Sequence, residues 1–146
     1  MMRWVIPVLT LLLAGCGGYR LDGFVAPGAA SGVEFRKVGE VTRPPLGVEG
    51  ATYELSLDPR SLGRRVVARG DVSPDGSFSI PIDEPGTGFL EYEFELVVRA
   101  KGYDSAVGDF RLPPKGTRVV VTLAPGRDRY REPDDPMRDL ERFPGD

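Results

Sequence analysis

The chain has 146 residues, which suits one domain and is short for two. Its formal charge is −3 and it contains no histidine, so the commonest general base and metal ligand is missing. The single cysteine excludes an intrachain disulfide and a thiolate metal site. The sequence carries no stripe of basic residues, which nucleic-acid binding requires. We therefore predict a protein that is not an enzyme, with no cofactor, metal, catalytic residue or nucleic-acid partner.

Residues 1–15 have the pattern of a signal peptide. Arg3 supplies a short positive region, and residues 5–14 are almost uninterruptedly apolar. An apolar run of this length is too short to span a bilayer as a helix, which needs ~20 residues. The four residues Leu13-Ala14-Gly15-Cys16 resemble the lipobox of bacterial lipoproteins, and they include the only cysteine.

The lipobox resemblance implies cleavage before Cys16 and attachment of fatty acyl chains, such as palmitate, at that residue. Two or more acyl chains hold a protein firmly at a membrane, whereas one binds only marginally. In well-understood lipoprotein families, an aspartate at the next position favours the inner membrane, and this chain has Gly17 there. The expected location is the bacterial cell envelope, at the outer membrane facing the periplasm. The alternatives are an ordinary secretory signal with a chance cysteine, or a buried apolar segment.

Residues 16–32 have the composition of a flexible, disordered tether that follows the lipidated cysteine. They are rich in glycine and alanine, and they show no sustained hydrophobic period. A flexible chain of this length averages roughly 20–25 Å from end to end. Leu21, Phe24 and Val25 are its only bulky aliphatic or aromatic cluster, for which at most loose docking on the domain is expected.

Residues 91–100 show the clearest strand pattern in the chain. Every second side chain is apolar or aromatic: Tyr92, Phe94, Leu96, Val98 and Ala100. Charged residues occupy most of the intervening positions: Glu91, Glu93, Glu95 and Arg99. Because side chains of an extended chain alternate between faces, we predict a strand with one face in a core and the other largely in water.

Six further runs, separated by turn signals, predict six more strands. They cover residues 33–41, 51–57, 64–72, 77–82, 103–112 and 117–123. The first has a phase slip near Val38 that a β-bulge would explain. The sequence Ser73-Pro74-Asp75-Gly76 is a strong turn signal and predicts a hairpin between its neighbouring strands. Seven short strands predict an all-β sandwich over residues 33–125.

Several short motifs occur in a distinctive order. They are Val38-Gly39-Glu40-Val41, Pro45-Leu46 with Gly50-Ala51, Pro74-Asp75-Gly76-Ser77-Phe78-Ser79-Ile80, Tyr92-Glu93-Phe94-Glu95-Leu96 with Ala100-Lys101-Gly102-Tyr103, and Val119-Val120-Val121-Thr122-Leu123. Their order resembles the carboxypeptidase regulatory-like domains. The resemblance implies a seven-stranded Greek-key β-sandwich of the prealbumin/transthyretin type, serving as a non-catalytic module that supports, spaces or binds. The chain departs from the family pattern at residues 47–49, 58–65 and 83–88.

Residues 126–146 are dense in charged residues and proline, so we predict a disordered charged tail. Within it, a short helix capped by Asp135 would bring Met137, Leu140 and Phe143 near one side. These three residues are candidate weak ligand or partner contacts. The alternative is a solvated tail, because isolated helices this short are marginal.

Two other groups of residues have a functional and a structural interpretation. The carboxylates Asp71, Asp75, Asp83 and Glu84 suggest a weak Ca²⁺ site, although turn formation explains the same residues. The tyrosines Tyr53, Tyr92 and Tyr103 suggest stacking on sugars, although their positions fit a core or its rim. The structural interpretation is favoured for both groups.

The sequence therefore predicts a lipid-anchored protein of the bacterial envelope, attached to the membrane through Cys16. Its β-sandwich is expected to act as a structural or protein-interaction module with a protein partner in the envelope. The alternative is a module that binds glycan or another polysaccharide of the envelope.

Overall fold

The computed structural model describes residues 18–44, 46–87 and 90–127. Within these ranges the chain forms eight β-strands and one 3-10 turn at Val38–Glu40. The strands are β1 Tyr19–Pro27, β2 Gly32–Lys37, β3 Thr52–Leu57, β4 Arg65–Asp71, β5 Ser77–Ile82, β6 Glu93–Arg99, β7 Ala106–Arg111 and β8 Thr117–Leu123. The prediction of an all-β protein is confirmed, but the described part has eight strands where seven were expected.

The strands form two four-stranded sheets. The first sheet has the order β2-β8-β1-β5, and the second has the order β4-β3-β6-β7. Strand β1 runs parallel to β8 and antiparallel to β5. All other neighbouring pairs are antiparallel. The inner faces of the two sheets bury one shared hydrophobic core.

The core consists mainly of the alternating rows that the sequence predicts. Its members from β3, β5, β6 and β8 are all buried: Leu55, Leu57, Phe78, Ile80, Ile82, Phe94, Leu96, Val98, Val119, Val121 and Leu123. The aromatic rings of Phe94 and Phe110 stack with their centroids 6.0 Å apart. Burial of each such side chain contributes about 1.5–3 kcal/mol to folding.

The predicted tether is wrong for Tyr19–Pro27, because these residues form β1 in the interior of the first sheet. Leu21 and Val25 are buried in the core instead of docking loosely on its surface. Phe24 is buried on the opposite face, where the guanidinium of Arg118 lies 5.2 Å from its ring centroid. The sandwich therefore begins at residue 19, and the boundary predicted at residue 33 is wrong.

Gly23 explains why β1 has no continuous hydrophobic pattern. A Cβ atom at this position would lie 2.5 Å from the ring of Phe78 and 2.5 Å from the carbonyl oxygen of Val119. No other residue type fits between these neighbours without displacing them. The glycine that makes the segment look like a linker is needed for close packing inside the sheet.

The turn at residues 73–76 forms as predicted, but it does not close a hairpin. Gly76 has a φ of +84°, its backbone N–H donates to the Ser73 carbonyl at 2.8 Å, and the Asp75 carboxylate accepts from the Ser77 N–H at 2.9 Å. However, β4 pairs with β3, and β5 pairs with β1. The turn therefore carries the chain from one sheet to the other, and the hairpin prediction is wrong.

The phase slip near Val38 marks the end of a strand. Strand β2 ends at Lys37, and Val38 begins the 3-10 turn with its backbone N–H donating to the Gly116 carbonyl at 2.9 Å. The predicted β-bulge is therefore wrong. The turn leaves the Val38 side chain on the surface.

The sandwich has two ends that differ in composition. At one end of the sandwich β1, β4, β6 and β8 begin and β2, β3, β5 and β7 end. We call this the entry end. Within each sheet, the directions of the paired strands show which strand ends lie together. Between the sheets, the short turn from β4 to β5 shows that the end of β4 lies beside the start of β5. The opposite end, which contains that turn, is the far end.

The predicted leader 1–15, Cys16 and residues 128–146 of the predicted tail lie outside the described residues. Gly126 and Arg127 lie inside them, and their backbone N–H groups donate to the Gly102 carbonyl at 3.0 Å and to the Asp104 carboxylate at 3.1 Å. Gly126 and Arg127 therefore belong to the domain, although the predicted boundary is at residue 125. Between residues 18 and 127, leaving aside 45, 88 and 89, no helix has the length and apolar character needed to cross a membrane.

Truncation of a β1 side chain tests its place in the core. Leu21→Ala is expected to lower the free energy of unfolding by ~2–5 kcal/mol, because it leaves a cavity between the sheets. Urea denaturation measures the loss. The control Leu46→Ala removes an exposed leucine and should change stability by less than ~0.5 kcal/mol. A Leu21→Ala protein as stable as its parent would contradict a buried β1.

Candidate binding groove

A shallow groove crosses the outer face of the second sheet and continues over the far end. It consists of two cavities of about 340 and 610 Å³ that share Thr52 and Arg99. The first cavity lies over β3, β4 and β6 and is also lined by Glu54, Arg69 and Asp71. The second is lined by Gly50, Ala100, Lys101, Gly102, Gly126 and Arg127. We call the two cavities together the groove.

The strand register brings the polar side chains of the groove together. Thr52 on β3 lies opposite Asp71 on β4 and opposite Arg99 on β6. Two residues further along β3, Glu54 lies opposite Arg69, and the Arg69 Nε donates to the Glu54 carboxylate at 2.9 Å. Because these positions share the outward phase of the sheet, their side chains meet on one surface.

Three chain segments form the far-end part of the groove. Gly102 has a φ of +84° in the turn after β6, and Gly50 has a φ of +70° before β3. Gly126 packs against the turn so closely that a Cβ atom there would lie 2.0 Å from the Asp104 carboxylate. These glycines keep the surface open and place the side chains of Lys101 and Arg127 at its edge, where both residues are exposed.

The groove has a positive charge balance although the chain as a whole is negative. Its lining contains four cationic residues and two acidic ones: Arg69, Arg99, Lys101 and Arg127 against Glu54 and Asp71. The Arg69–Glu54 ion pair neutralises one charge of each sign. The surplus of guanidinium and ammonium groups suits a carboxylate or another anionic group of a ligand.

Beside the groove, the outer face of β6 is less exposed to solvent than predicted. Glu91 and Glu93 are exposed, as expected, but Glu95 and Val97 are buried. The loop after β3 folds back over the sheet, and its Arg64 donates to the Glu95 carboxylate at 3.0 Å. Because β6 is an interior strand with covered neighbours, the simple alternation of core and water fails at Glu95.

The pKa of the Glu95 carboxyl is raised above its ordinary value, mainly because burial disfavours the charged form. The Arg64 guanidinium opposes this rise, and the negative charges of Asp109 and Glu54 add to it. Arg60 from the same loop donates to Asp109 at 2.8 Å. The loop thus supplies arginines to two carboxylates that lie opposite each other on β6 and β7.

The acidic residues considered for Ca²⁺ do not form a site. Asp75 accepts hydrogen bonds from Ser77 in its turn and forms an ion pair with Arg43. Glu84 forms an ion pair with Arg65 at the other end of the sandwich. Among residues 18–44, 46–87 and 90–127, no group of three or more acidic, histidine or cysteine side chains is arranged to hold a metal. The turn-forming interpretation is therefore correct for Asp75.

The tyrosines considered for sugar stacking are all partly buried. Tyr53 packs on Phe78 with ring centroids 6.0 Å apart, and the Tyr92 hydroxyl donates to the Pro85 carbonyl at 2.6 Å. Tyr103 lies in an isolated bridge to Pro125. In the described ranges every aromatic side chain is buried or half-buried, so no exposed aromatic strip is available there for a glycan.

Two residues that the sequence suggested for other kinds of site, Tyr53 and Asp71, line the groove. Cys16 and the candidate contacts Met137, Leu140 and Phe143 lie outside the described residues. Sequence reasoning missed the groove cations, since Arg69, Arg99, Lys101 and Arg127 come from three separate segments. The motif Ala100-Lys101-Gly102-Tyr103 lies at the site, but in the sequence it served only as part of the family resemblance.

Comparison of this chain with protein-family models, curated proteins and solved structures found no match.

The raised pKa of Glu95 predicts a specific pH dependence. The folded protein binds this proton more tightly than the unfolded chain does, so Glu95 lowers stability as the pH rises from about 4 towards 7. Urea denaturation at a series of pH values across that range gives the free energy of unfolding. The decrease that Glu95 causes should be absent in Glu95→Gln. The control Glu93→Gln removes an exposed carboxylate from the same strand and should leave the decrease in place. Identical profiles for wild type and Glu95→Gln would contradict the assignment.

Proposed function

We propose that this chain is a lipid-anchored protein of the bacterial envelope, whose non-catalytic sandwich binds a protein partner through the groove. The observation that carries the proposal is the separation of two features. Gly18, two residues after Cys16, lies at the entry end, and the groove opens at the far end. A protein attached to a membrane at Cys16 would present the groove away from the lipid.

The chemistry of the groove supports a polar protein surface as the ligand. Lys101 and Arg127 are exposed at its edge, and Arg99 lies between its two cavities. Shallow, open surfaces with excess positive charge suit acidic side chains of a partner, since charge complementarity directs encounter and orientation. A ligand of this kind needs no enclosed pocket, aromatic platform or catalytic group.

We also propose that this chain is related to the carboxypeptidase regulatory-like domains and shares their transthyretin-type Greek-key topology. In its support, the seven predicted strands all occur, as β2–β8, in two facing sheets, to which β1 is added. The motif turns at Gly76 and Gly102 both have positive φ values, as their glycines suggest. Such a relationship is consistent with a binding or spacing module and adds no catalytic group.

The tail supplies further candidate contacts for the partner. Arg127, the last described residue before it, lines the groove, and Met137, Leu140 and Phe143 follow within 16 residues. A partner bound in the groove would be within reach of these apolar side chains. Their role remains a prediction.

Lipidation is tested directly by metabolic labelling. Cells that express the full chain and are fed labelled palmitate should incorporate the label into the wild-type protein and not into Cys16→Ser. The variant should also leave the membrane fraction, because it lacks the acyl chains that hold it there. Absence of label from the wild type would contradict the proposed anchor.

Charge reversal tests the groove as the partner site. In the full-length anchored protein, Lys101→Glu combined with Arg127→Glu should abolish most cross-linking to its envelope partner, by about tenfold or more, because attraction becomes repulsion. Cross-linking in intact cells followed by mass spectrometry measures the adduct.

The matched control reverses two exposed arginines on the outer face of the first sheet, Arg20→Glu and Arg36→Glu. It changes the net charge by the same amount and should retain the adduct. Equal loss in both double variants would indicate a general charge effect and contradict the groove as the site.

A further inference from the structure

Four connections meet at the entry end of the sandwich. They are residues 38–40 after β2, 58–64 after β3, 83–92 between β5 and β6, and 112–116 between β7 and β8. Contacts hold neighbouring parts of this end together. The Val38 N–H donates to Gly116, the Tyr19 hydroxyl donates to Pro113 at 2.5 Å, and Glu84 forms an ion pair with Arg65.

Three of these connections expose a large apolar side chain. Val38 is 46% exposed, Leu62 is 88% exposed and Leu90 is 57% exposed. The other exposed large apolar residues of the described ranges are not in these connections. Val66 and Val107 are within strands of the second sheet, and Leu46 is next to Gly47, which packs on the far-end turn at Gly76. Leu62 belongs to the loop that folds over the outer face of the second sheet. The entry end itself therefore exposes Val38 and Leu90, from two separate connections.

The short distance to Cys16 sets how far this end can lie from a membrane. Strand β1 begins at Tyr19, so only two residues separate it from Cys16. Three residue steps of extended chain span at most about 10 Å. The polar layer of a bilayer is itself about 5–7 Å thick on each side. Residues 19–24 of β1 pair with β5 and residues 23–27 pair with β8. The anchor therefore cannot lengthen by releasing β1 without breaking backbone hydrogen bonds of the sheet.

We propose that Val38 and Leu90 form a lipid-contacting rim that rests in the interfacial layer of the bilayer around the lipidated cysteine. The proposal rests on lipidation at Cys16 and deepens it, since it assigns the protein a fixed orientation. The rim and the short anchor hold the sandwich upright, with the groove directed away from the lipid.

The charges at the entry end show which kind of lipid contact is involved. Lys37 and Lys115 are exposed beside Val38, but Glu40 and Asp83 are exposed at the same end. Glu84 and Glu91 are ion-paired with Arg65 and Arg111. Charges of both signs are therefore present, and the contact depends on apolar side chains. It should occur on zwitterionic vesicles and persist at high salt.

Tryptophan substitution provides the test, because Trp4 is the only tryptophan and lies in the leader that processing removes. The lipidated full-length product of Leu90→Trp or Val38→Trp is placed in phosphatidylcholine vesicles, with or without bromine on the acyl chains. Bromine quenches nearby indole fluorescence. We expect at least twofold quenching and a blue-shifted emission for both variants.

The control Leu46→Trp replaces a leucine that is 72% exposed near the far end, and it should be neither quenched nor shifted. Two rim positions are used so that the conclusion does not depend on one variant that fails to fold. Quenching confined to the rim variants supports the rim. No quenching, or equal quenching of the Leu46→Trp control, overturns it.

Palmitate labelling of the same preparations separates this proposal from the one it rests on. Labelled protein without rim quenching overturns the lipid contact and leaves the anchor standing. Protein without label overturns the anchor, and the rim proposal falls with it.

Discussion

The pairing of β1 with β5 on one edge and β8 on the other is the constraint on which the rest of the structure depends. It joins β5 to β8 and β2, which have no other connection within the first sheet. It also places Leu21 and Val25 opposite the inner face of the second sheet, in the shared core. Without β1, one edge strand and a two-stranded ribbon would face the second sheet separately, and neither would cover its apolar face.

This constraint gives the molecule a direction. Because β1 enters at one end and is held along its whole length, the residues just before it emerge at a defined place. Register then places Arg99 at the other end of β6, beside Thr52 and the turn that carries Lys101. The proposed anchor and the proposed partner site are therefore separated by the length of the sandwich. A long flexible tether would have left their relative orientation undefined.

The outer face of the second sheet shows how local patterns fail when neighbours cover a strand. Glu95 has the spacing of a solvent-facing residue, yet the loop after β3 brings Arg64 over it. Burial raises the pKa of this carboxyl, and the arginine offsets part of the effect. A buried charge pair of this kind is costly to break, because either partner left alone would remain partly desolvated. The loop is therefore held to the sheet beside the groove.

Much of the core follows from the sequence, because alternation with period two requires only local information. The strands β3, β5, β6 and β8 were predicted for this reason, and the turn at Gly76 was predicted from its residue types. Strand β1 was missed because Gly23 interrupts its inward row and Phe24 faces outward. The reason for that glycine is its proximity to Phe78 and Val119, which are distant in the sequence.

The amino-acid sequence alone determined the all-β class, the positions of the interior apolar rows and the lack of histidine chemistry. Only the tertiary structure decided which strands pair, that the turn at residues 73–76 connects two sheets, and that the groove cations meet. Pairing partners and surface clusters depend on contacts between residues far apart in the chain, and no local period records them. Alternation shows which side of a strand is buried, whereas packing decides what covers the other side.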